Sequence, residues 1–179
     1  CKAELILDIF EREKFQKMSR IKLAMEHIVN KVHSLLIKKK KSIAVAESCT
    51  AGLLSNYLTQ IPGSSKYFIL GVAAYSNKAK ENILKIPANI IAKKGAVSKN
   101  VAELLAKSVR LITKADFGIG ITGIAGPGGG SKEKPVGTVF IAIDSTNKKL
   151  CKKFIFTGNR LTVRKKTALK ALELLSELI

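Results

Sequence analysis

The sequence predicts one α/β domain with three layers, in which helices cover both faces of a mixed sheet of about five strands. The chain has 179 residues, of which 46% are hydrophobic, and this is enough for a single domain with a substantial core. Short apolar runs rich in β-branched residues alternate with longer stretches of helical periodicity. No repeat or low-complexity linker separates one part of the chain from another.

The N-terminal part of the chain has the periodicity of helices. Residues 1–20 place apolar residues four apart, and we expect them to form a helical extension that precedes the main domain at 21–179. The first helix of that domain is amphipathic. Its apolar positions are Ile21, Met25, Ile28, Val32 and Leu35.

The strands are predicted from apolar runs bounded by turn residues. They span 42–46, 67–75, 116–122, 136–143 and 150–156. The run at 67–75 is read as a buried strand, and the turn residues at 144–147 favour a hairpin between the last two strands.

Helices are predicted between these strands. Their ranges are 53–61, 78–84, 98–112 and 159–179. The residues Ser98 and Asn159 are typical helix N-caps. The short helix at 78–84 is expected to stop near Pro87.

The composition excludes several classes of protein. The net charge is +19, but the lysines are scattered and no helix-turn-helix, zinc-finger or aromatic RNA-binding motif accompanies them. We expect a basic surface that attracts anionic small molecules, without a specific nucleic-acid partner. No apolar run approaches the roughly 18 residues that cross a membrane. The three cysteines lack disulfide or metal spacing, so we expect a cytoplasmic protein with no membrane contact.

The segment from Ala46 to Gly52, AESCTAG, lies where the first strand turns into a helix. Ligands bind at the carboxyl ends of strands in open α/β sheets, and a helix N-terminus favours anions. A simpler interpretation is that Ser48 or Thr50 caps the helix. Cys49 is expected to be a buried packing residue, because the only two histidines lie near the N-terminus.

The glycine-rich segment 123–130 lacks the spacing of a P-loop or a dinucleotide-binding fingerprint. It is either a flexible turn or part of a ligand site. In a ligand site, Thr122, Gly123 and neighbouring N–H groups would form an anion nest or supply oxyanion donors.

Six motifs occur in a fixed order along the chain: AESCTAG at 46–52, AYSNKAK at 74–80, GAVS at 95–98, GITGIAGPGGG at 120–130, KPVGTV at 134–139 and GNRLTVR at 158–164. Together they resemble the CinA C-terminal domain family, which includes nicotinamide mononucleotide deamidases. The resemblance covers about residues 28–178. It departs at Ala51, where the family usually has glycine, and at Asn159, where it usually has aspartate.

The resemblance implies an amidohydrolase that converts nicotinamide mononucleotide and water into nicotinate mononucleotide and ammonia. It implies that Ser48 attacks the carboxamide, that Lys80 rather than Lys78 is the base, and that Tyr75 and Asn77 orient the lysine or the substrate. A lysine can act as a base when burial or nearby cations such as Arg160 lower its pKa. Substrate contacts are implied at Thr50, Gly52, Asn77, Thr122, Gly123, Gly126 and Arg160.

No metal or organic cofactor is expected for this reaction. The expected ligand is a phosphorylated pyridine nucleotide, and the expected assembly is a homo-oligomer, a dimer. The alternative is a non-catalytic module that binds pyridine nucleotides, as a regulator or as part of a larger competence protein. The pair of Ser48 and Lys80 favours the enzyme.

Overall fold

A computed structural model of the chain describes residues 23–179. The predicted extension at 1–20 lies outside the described residues. The elements are α1 (23–38), β1 (Ile43–Glu47), α2 (Leu53–Leu58), a 3₁₀ turn (Ser64–Lys66), β2 (Phe68–Ala73), α3 (Asn77–Asn82), α4 (Ala88–Lys94), α5 (Lys99–Thr113), β3 (Phe117–Gly123), β4 (Thr138–Ser145), β5 (Lys149–Ile155) and α6 (Arg160–Leu178).

The five strands form one mixed sheet in the order β2-β1-β3-β4-β5. Strand β1 pairs in parallel with both β2 and β3. Strand β4 runs antiparallel to β3 and to β5, so the predicted hairpin is confirmed. Because β1, β2 and β3 are parallel, the loops that follow them emerge at the same edge of the sheet.

The helices cover both faces of the sheet, which confirms the three-layer fold. Ile43 and Val45 of β1 point to one face and pack in the core built by α1, α2 and α6. Ala44 and Ala46 point to the other face and pack with residues of α4, α5 and the segment around α3. This alternation follows from the two-residue period of a strand.

Helix α5 lies unusually close to β3 because two positions of that strand are glycine. A Cβ atom at Gly118 would lie 2.1 Å from the carbonyl oxygen of Ala106, and one at Gly120 would lie 2.2 Å from that of Ala102. No side chain fits at these distances. The contacts also orient α5 antiparallel to β3, so the residues that precede α5 lie beside the carboxyl end of β3.

Two predicted elements differ from the structure. The strand predicted as buried at 67–75 is the edge strand β2, and its Ile69 is 51% exposed. An apolar run does not reveal whether a strand has a neighbour on both sides. The predicted helix at 78–84 is α3, which ends at Asn82, and the sequence did not predict α4 after Pro87. Seven residues are too few to establish a helical period.

The predicted N-caps of the last two helices are confirmed. The Ser98 hydroxyl accepts the N–H of Val101 at 3.3 Å, and Asn159 Oδ1 accepts the N–H of Thr162 at 2.9 Å. Among residues 23–179, no helix combines the length and the apolar character needed to cross a bilayer.

Candidate functional site

A cleft with a volume of about 230 Å³ opens at the carboxyl ends of β1, β2 and β3. It is lined by Ser48, Cys49, Tyr75, Asn77, Lys80, Ala96, Val97, Thr122, Gly123, Ala125 and Arg160. The parallel arrangement of three strands therefore brings together most of the site residues expected from the sequence. Thr50, Gly52 and Gly126 are not among the lining residues.

Ser48 is the first residue after β1 and is partly buried. Its backbone N–H donates to the carbonyl oxygen of Ile121 at 3.0 Å, which extends the pairing of β1 with β3 by one residue. Within the described part of the chain, the Ser48 hydroxyl makes no hydrogen bond. The backbone of Ser48 is therefore fixed at the cleft, and its hydroxyl is available to a ligand.

The buried carboxylate of Glu47 fixes the start of α2. One oxygen accepts the N–H groups of Gly52 and Leu54 at 3.0 and 3.1 Å. The other accepts the N–H and the hydroxyl of Ser55 at 2.8 and 2.7 Å. A carboxylate is favourable here because the first N–H groups of a helix have no partner within it and carry partial positive charge.

The interpretation that Ser48 or Thr50 caps this helix is wrong. The N-cap residue is Gly52, and no side chain at that position caps the helix. Sequence analysis missed Glu47, because this residue lies in β1, outside the cap position and first turn whose residues signal a helix start.

Thr50 lies behind the cleft rather than in it. The residue is fully buried, and its hydroxyl has no hydrogen-bond partner in the structure. Its carbonyl oxygen accepts two hydrogen bonds from the Arg164 guanidinium, at 2.7 and 3.2 Å. This contact anchors the 48–52 turn to α6, and the substrate contact expected at Thr50 stays a prediction.

Two consecutive residues of this turn have left-handed backbone conformations. Ala51 has a φ of 49° and Gly52 a φ of 89°. Glycine adopts this region at no steric cost, whereas alanine does not. Glycine would therefore be favoured at position 51, and Gly52 shapes the turn; the ligand contact expected at Gly52 stays a prediction.

Lys80 is the buried cation of the cleft, with only 1% of its surface exposed. It lies on α3, and its ammonium donates to the carbonyl oxygen of Tyr75 at 3.1 Å. Burial lowers the pKa of Lys80, and the charge of a Cys49 thiolate would oppose that shift. Desolvation is therefore the main cause of the lowered pKa of Lys80.

Cys49 lies beside Ser48 but belongs to the hydrophobic core, as expected. Burial raises the pKa of the Cys49 thiol to about 12, and the nearby charge of Glu47 acts in the same direction. The thiol is therefore protonated at neutral pH and is a poor nucleophile.

Arg160, the first residue of α6, crosses the mouth of the cleft. Its guanidinium donates to the carbonyl oxygen of Gly126 at 2.8 Å and to the hydroxyl of Tyr75 at 2.7 Å. Gly126 is thus linked to the cleft lining through Arg160, and its expected contact with a substrate stays a prediction. A guanidinium has five N–H donors, so Arg160 retains donors for an anionic ligand while it makes both contacts.

The segment Ala96–Val97, between α4 and α5, forms part of the wall of the cleft. The buried Thr122 hydroxyl donates to the carbonyl oxygen of Ala96 at 2.8 Å. A Cβ atom at Gly123 would lie 2.7 Å from Val139, so the strand end approaches β4 closely there. Ala96 and Val97 belong to the GAVS motif, but sequence analysis did not place them in the site.

Two residues that line the cleft have backbone N–H groups with no oxygen acceptor. Among the described residues, the N–H groups of Cys49 and Ala125 donate to no carbonyl or side-chain oxygen. The N–H of Ser48 is already used by Ile121. Cys49 and Ala125 are thus the better candidates for donors to an oxyanion. No group of His, Cys, Asp and Glu side chains between residues 23 and 179 could hold a metal ion.

The fold and the cleft define an α/β protein with a candidate ligand site at the carboxyl ends of parallel strands, the usual place in this class. The chain belongs to the CinA C-terminal domain family, whose model matches residues 25–179.

Relatives of known sequence carry names from the same family. A protein of Thermoanaerobacter pseudethanolicus named for competence-damage induction is 46% identical over 150 residues, 84% of this chain and 36% of that protein. A CinA-like protein of Syntrophus aciditrophicus is 41% identical over 178 residues, 98% of this chain and 42% of that protein. The chain thus spans well under half the length of these curated relatives.

Solved structures share the fold over nearly their whole length. The competence/damage inducible protein of Agrobacterium tumefaciens superposes with a TM-score of 0.84 at 35% identity, covering 87% of this chain and 95% of that one. A competence-damaged protein (CinA) superfamily member from Escherichia coli has a TM-score of 0.80 at 31% identity, covering 85% and 90% of the two chains.

Proposed function

We propose that the chain is an amidohydrolase that converts nicotinamide mononucleotide and water into nicotinate mononucleotide and ammonia. One observation carries the proposal. The cleft contains a serine hydroxyl without a protein partner and a buried lysine whose pKa is lowered by desolvation. A serine becomes an effective nucleophile only when a neighbouring base takes its proton, and a neutral lysine can supply that base.

The contact of Lys80 with Tyr75 is compatible with this role. An ammonium has three N–H donors and no acceptor, whereas the neutral amine has two donors and one lone pair. The Tyr75 carbonyl oxygen engages one donor in either state. It thereby restricts the orientation of the nitrogen, and the lone pair is left for the hydroxyl proton of Ser48.

In the proposed reaction, Ser48 Oγ attacks the carboxamide carbon as Lys80 accepts its proton. The N–H groups of Cys49 and Ala125 stabilise the oxyanion of the tetrahedral intermediate. Lys80 then gives the proton to the departing nitrogen, and ammonia leaves an ester on Ser48. Lys80 next takes a proton from water, which attacks the ester, and then gives this proton to Ser48 Oγ as nicotinate mononucleotide is released.

Arg160 is proposed to bind the phosphate at the mouth of the cleft. It is exposed and has donors beyond those used by Gly126 and Tyr75. A guanidinium matches the geometry of a phosphate because it can present two parallel N–H groups.

A second candidate is a module that binds the nucleotide without hydrolysing it. The observation that favours it is that Lys80 donates to Tyr75 and makes no hydrogen bond with Ser48. The two candidates differ in one experiment, in which ammonia release and binding of nicotinamide mononucleotide are measured on the same preparation. Ammonia release supports the enzyme, binding without release supports the module, and the absence of both contradicts the pyridine-nucleotide site itself.

A further inference from the structure

Lys134, which follows the glycine-rich segment, is hydrogen-bonded to the wall of the cleft at Val97. Its ammonium donates to the carbonyl oxygen of Val97 at 2.7 Å and to that of Lys94 at 3.3 Å. In the part of the chain that the structure describes, no carboxylate lies within ion-pair distance of Lys134. The charge of this lysine is therefore directed at backbone oxygens.

Those oxygens are well placed to accept from a cation. Lys94 is the last residue of α4, and the carbonyl groups at the end of a helix have no helical partner and carry partial negative charge. Val97 lies three residues further on and lines the cleft. A single ammonium thus links the end of α4 to the cleft wall.

Lys134 is itself fixed by a short turn. The N–H of Ser131 donates to the carbonyl oxygen of Lys134 at 2.9 Å, and the N–H of Lys134 donates to the Ser131 hydroxyl at 3.2 Å. The backbone from which the Lys134 side chain extends is therefore fixed by hydrogen bonds. The neighbouring carbonyl of Ala96 is held separately by the Thr122 hydroxyl at 2.8 Å, so two independent donors hold consecutive residues of the wall.

We propose that Lys134 is a positioning residue that holds Ala96 and Val97 as the apolar wall for the heteroaromatic ring of the substrate. Both carbonyl oxygens of this segment are hydrogen-bonded, so the wall presents mainly its Ala and Val side chains. Ligand sites combine such apolar surface with a few placed polar groups. The polar lining includes Ser48, Lys80 and Arg160, which are proposed to act on the carboxamide and the phosphate.

This inference rests on the proposed function, because that function identifies the ring as nicotinamide. The inference concerns binding of the ring, whereas the proposed function concerns the reacting carboxamide and the phosphate. Lys134 acts on binding of the ring and does not contact the reacting carbon or the phosphate. Loss of its charge is therefore expected to weaken binding of the nucleotide and of nicotinamide riboside, which lacks the phosphate, by the same factor.

The test compares Lys134→Met and Lys134→Arg, with Lys132→Met as the matched control in the same segment. Lys132 is exposed and has no hydrogen bond or ion pair to another described residue. Hydrogen–deuterium exchange of the ligand-free protein is followed in peptides that cover residues 94–98. Exchange there should become faster in Lys134→Met and remain close to wild type in Lys134→Arg and Lys132→Met, because arginine can also donate to both carbonyl oxygens.

Steady-state kinetics give the second measurement. Lys134→Met should raise KM about tenfold for both nicotinamide mononucleotide and nicotinamide riboside, as expected for loss of a charge-assisted contact, while kcat changes little. The KM of Lys134→Arg should be close to that of the wild type for both substrates. A general loss of folding would instead lower kcat and speed exchange throughout the molecule.

Unchanged exchange at residues 94–98 in Lys134→Met would overturn the positioning role. Faster exchange with an unchanged KM would show that the wall does not bind the ring and would also overturn the proposal. If the wild type binds nicotinamide mononucleotide without releasing ammonia, the proposed function fails on its own. Lys134 is then judged by the dissociation constant from calorimetry, with the same expected change.

Discussion

The ammonium of Lys80 and the carbonyl oxygen of Tyr75 are joined by a hydrogen bond of 3.1 Å inside the cleft. The hydroxyl of the same tyrosine accepts a hydrogen bond from Arg160 at 2.7 Å. Tyr75 therefore contacts both functional side chains. Its carbonyl oxygen binds Lys80, the proposed base, and its hydroxyl binds Arg160, the residue proposed to bind the phosphate. The two ends of the candidate site are coupled through one residue.

The protonation state of Lys80 should control the rate of ammonia release. Because burial lowers its pKa, the fraction of neutral amine at a given pH is larger than for a lysine in water. The value of kcat/KM should accordingly rise with pH, through an apparent pKa below the ordinary value of about 10.4 for lysine. A pH–rate profile of ammonia release measures this ionisation.

Two variants of Lys80 distinguish a general base from a residue that contributes only a positive charge. Lys80→Arg keeps the positive charge but cannot deprotonate, so it should be as inactive as Lys80→Ala. Lys78→Ala is the control, because Lys78 is exposed on the same helix and should leave activity intact. An active Lys80→Arg enzyme would leave Lys80 as an electrostatic contact and the proton acceptor unidentified.

Arg160→Ala should weaken binding of the phosphorylated substrate much more than that of nicotinamide riboside. A hydrogen bond to a charged group contributes about 1.5–3 kcal/mol, which corresponds to a loss of about 10- to 150-fold in affinity for the nucleotide. Calorimetry with both ligands measures the difference. Lys165→Ala, on the same helix and outside the cleft lining, provides the control.

Equal losses for the two ligands would show that Arg160 does not recognise the phosphate. In that case, its bonds to Gly126 and Tyr75 would explain the effect, because their loss would loosen the mouth of the cleft for any ligand.

Ala51→Gly should stabilise the protein. The alanine has a φ of 49°, where its Cβ atom is strained, and glycine removes this strain at the cost of a more flexible unfolded chain. The free energy of unfolding, measured with urea, should rise by about 0.5–1 kcal/mol. Ala92→Gly, at an exposed position inside α4, should lower it by about 1 kcal/mol. A destabilised Ala51→Gly protein would contradict the left-handed turn.

Much of this architecture follows from local sequence. The apolar runs of β1 and β3 and the β4–β5 hairpin are visible because central strands are apolar throughout and hairpin turns have a typical composition. The loops that follow parallel strands meet at one edge of a sheet, and this convergence brings Ser48 and Lys80 into one cleft.

Other features depend on contacts between distant parts of the chain. Glu47 binds the start of α2 only because β1 and α2 meet at a tight turn, so its neighbour Ser48 was the more obvious cap. Val97 lines the cleft, and Lys134 donates to its carbonyl oxygen from a position 37 residues away. Neither relationship leaves a periodic pattern in the sequence.

The central claim is that Ser48 is the nucleophile of an amidohydrolase, and ammonia release from nicotinamide mononucleotide by Ser48→Ala tests it most directly. Cys49→Ala is the control, because the pKa of that thiol is raised to about 12 and its thiolate is scarce at neutral pH. We predict that Ser48→Ala lowers kcat by about a thousandfold or more while binding of the nucleotide is retained, and that Cys49→Ala remains active. Turnover by Ser48→Ala close to that of the wild type would contradict the account.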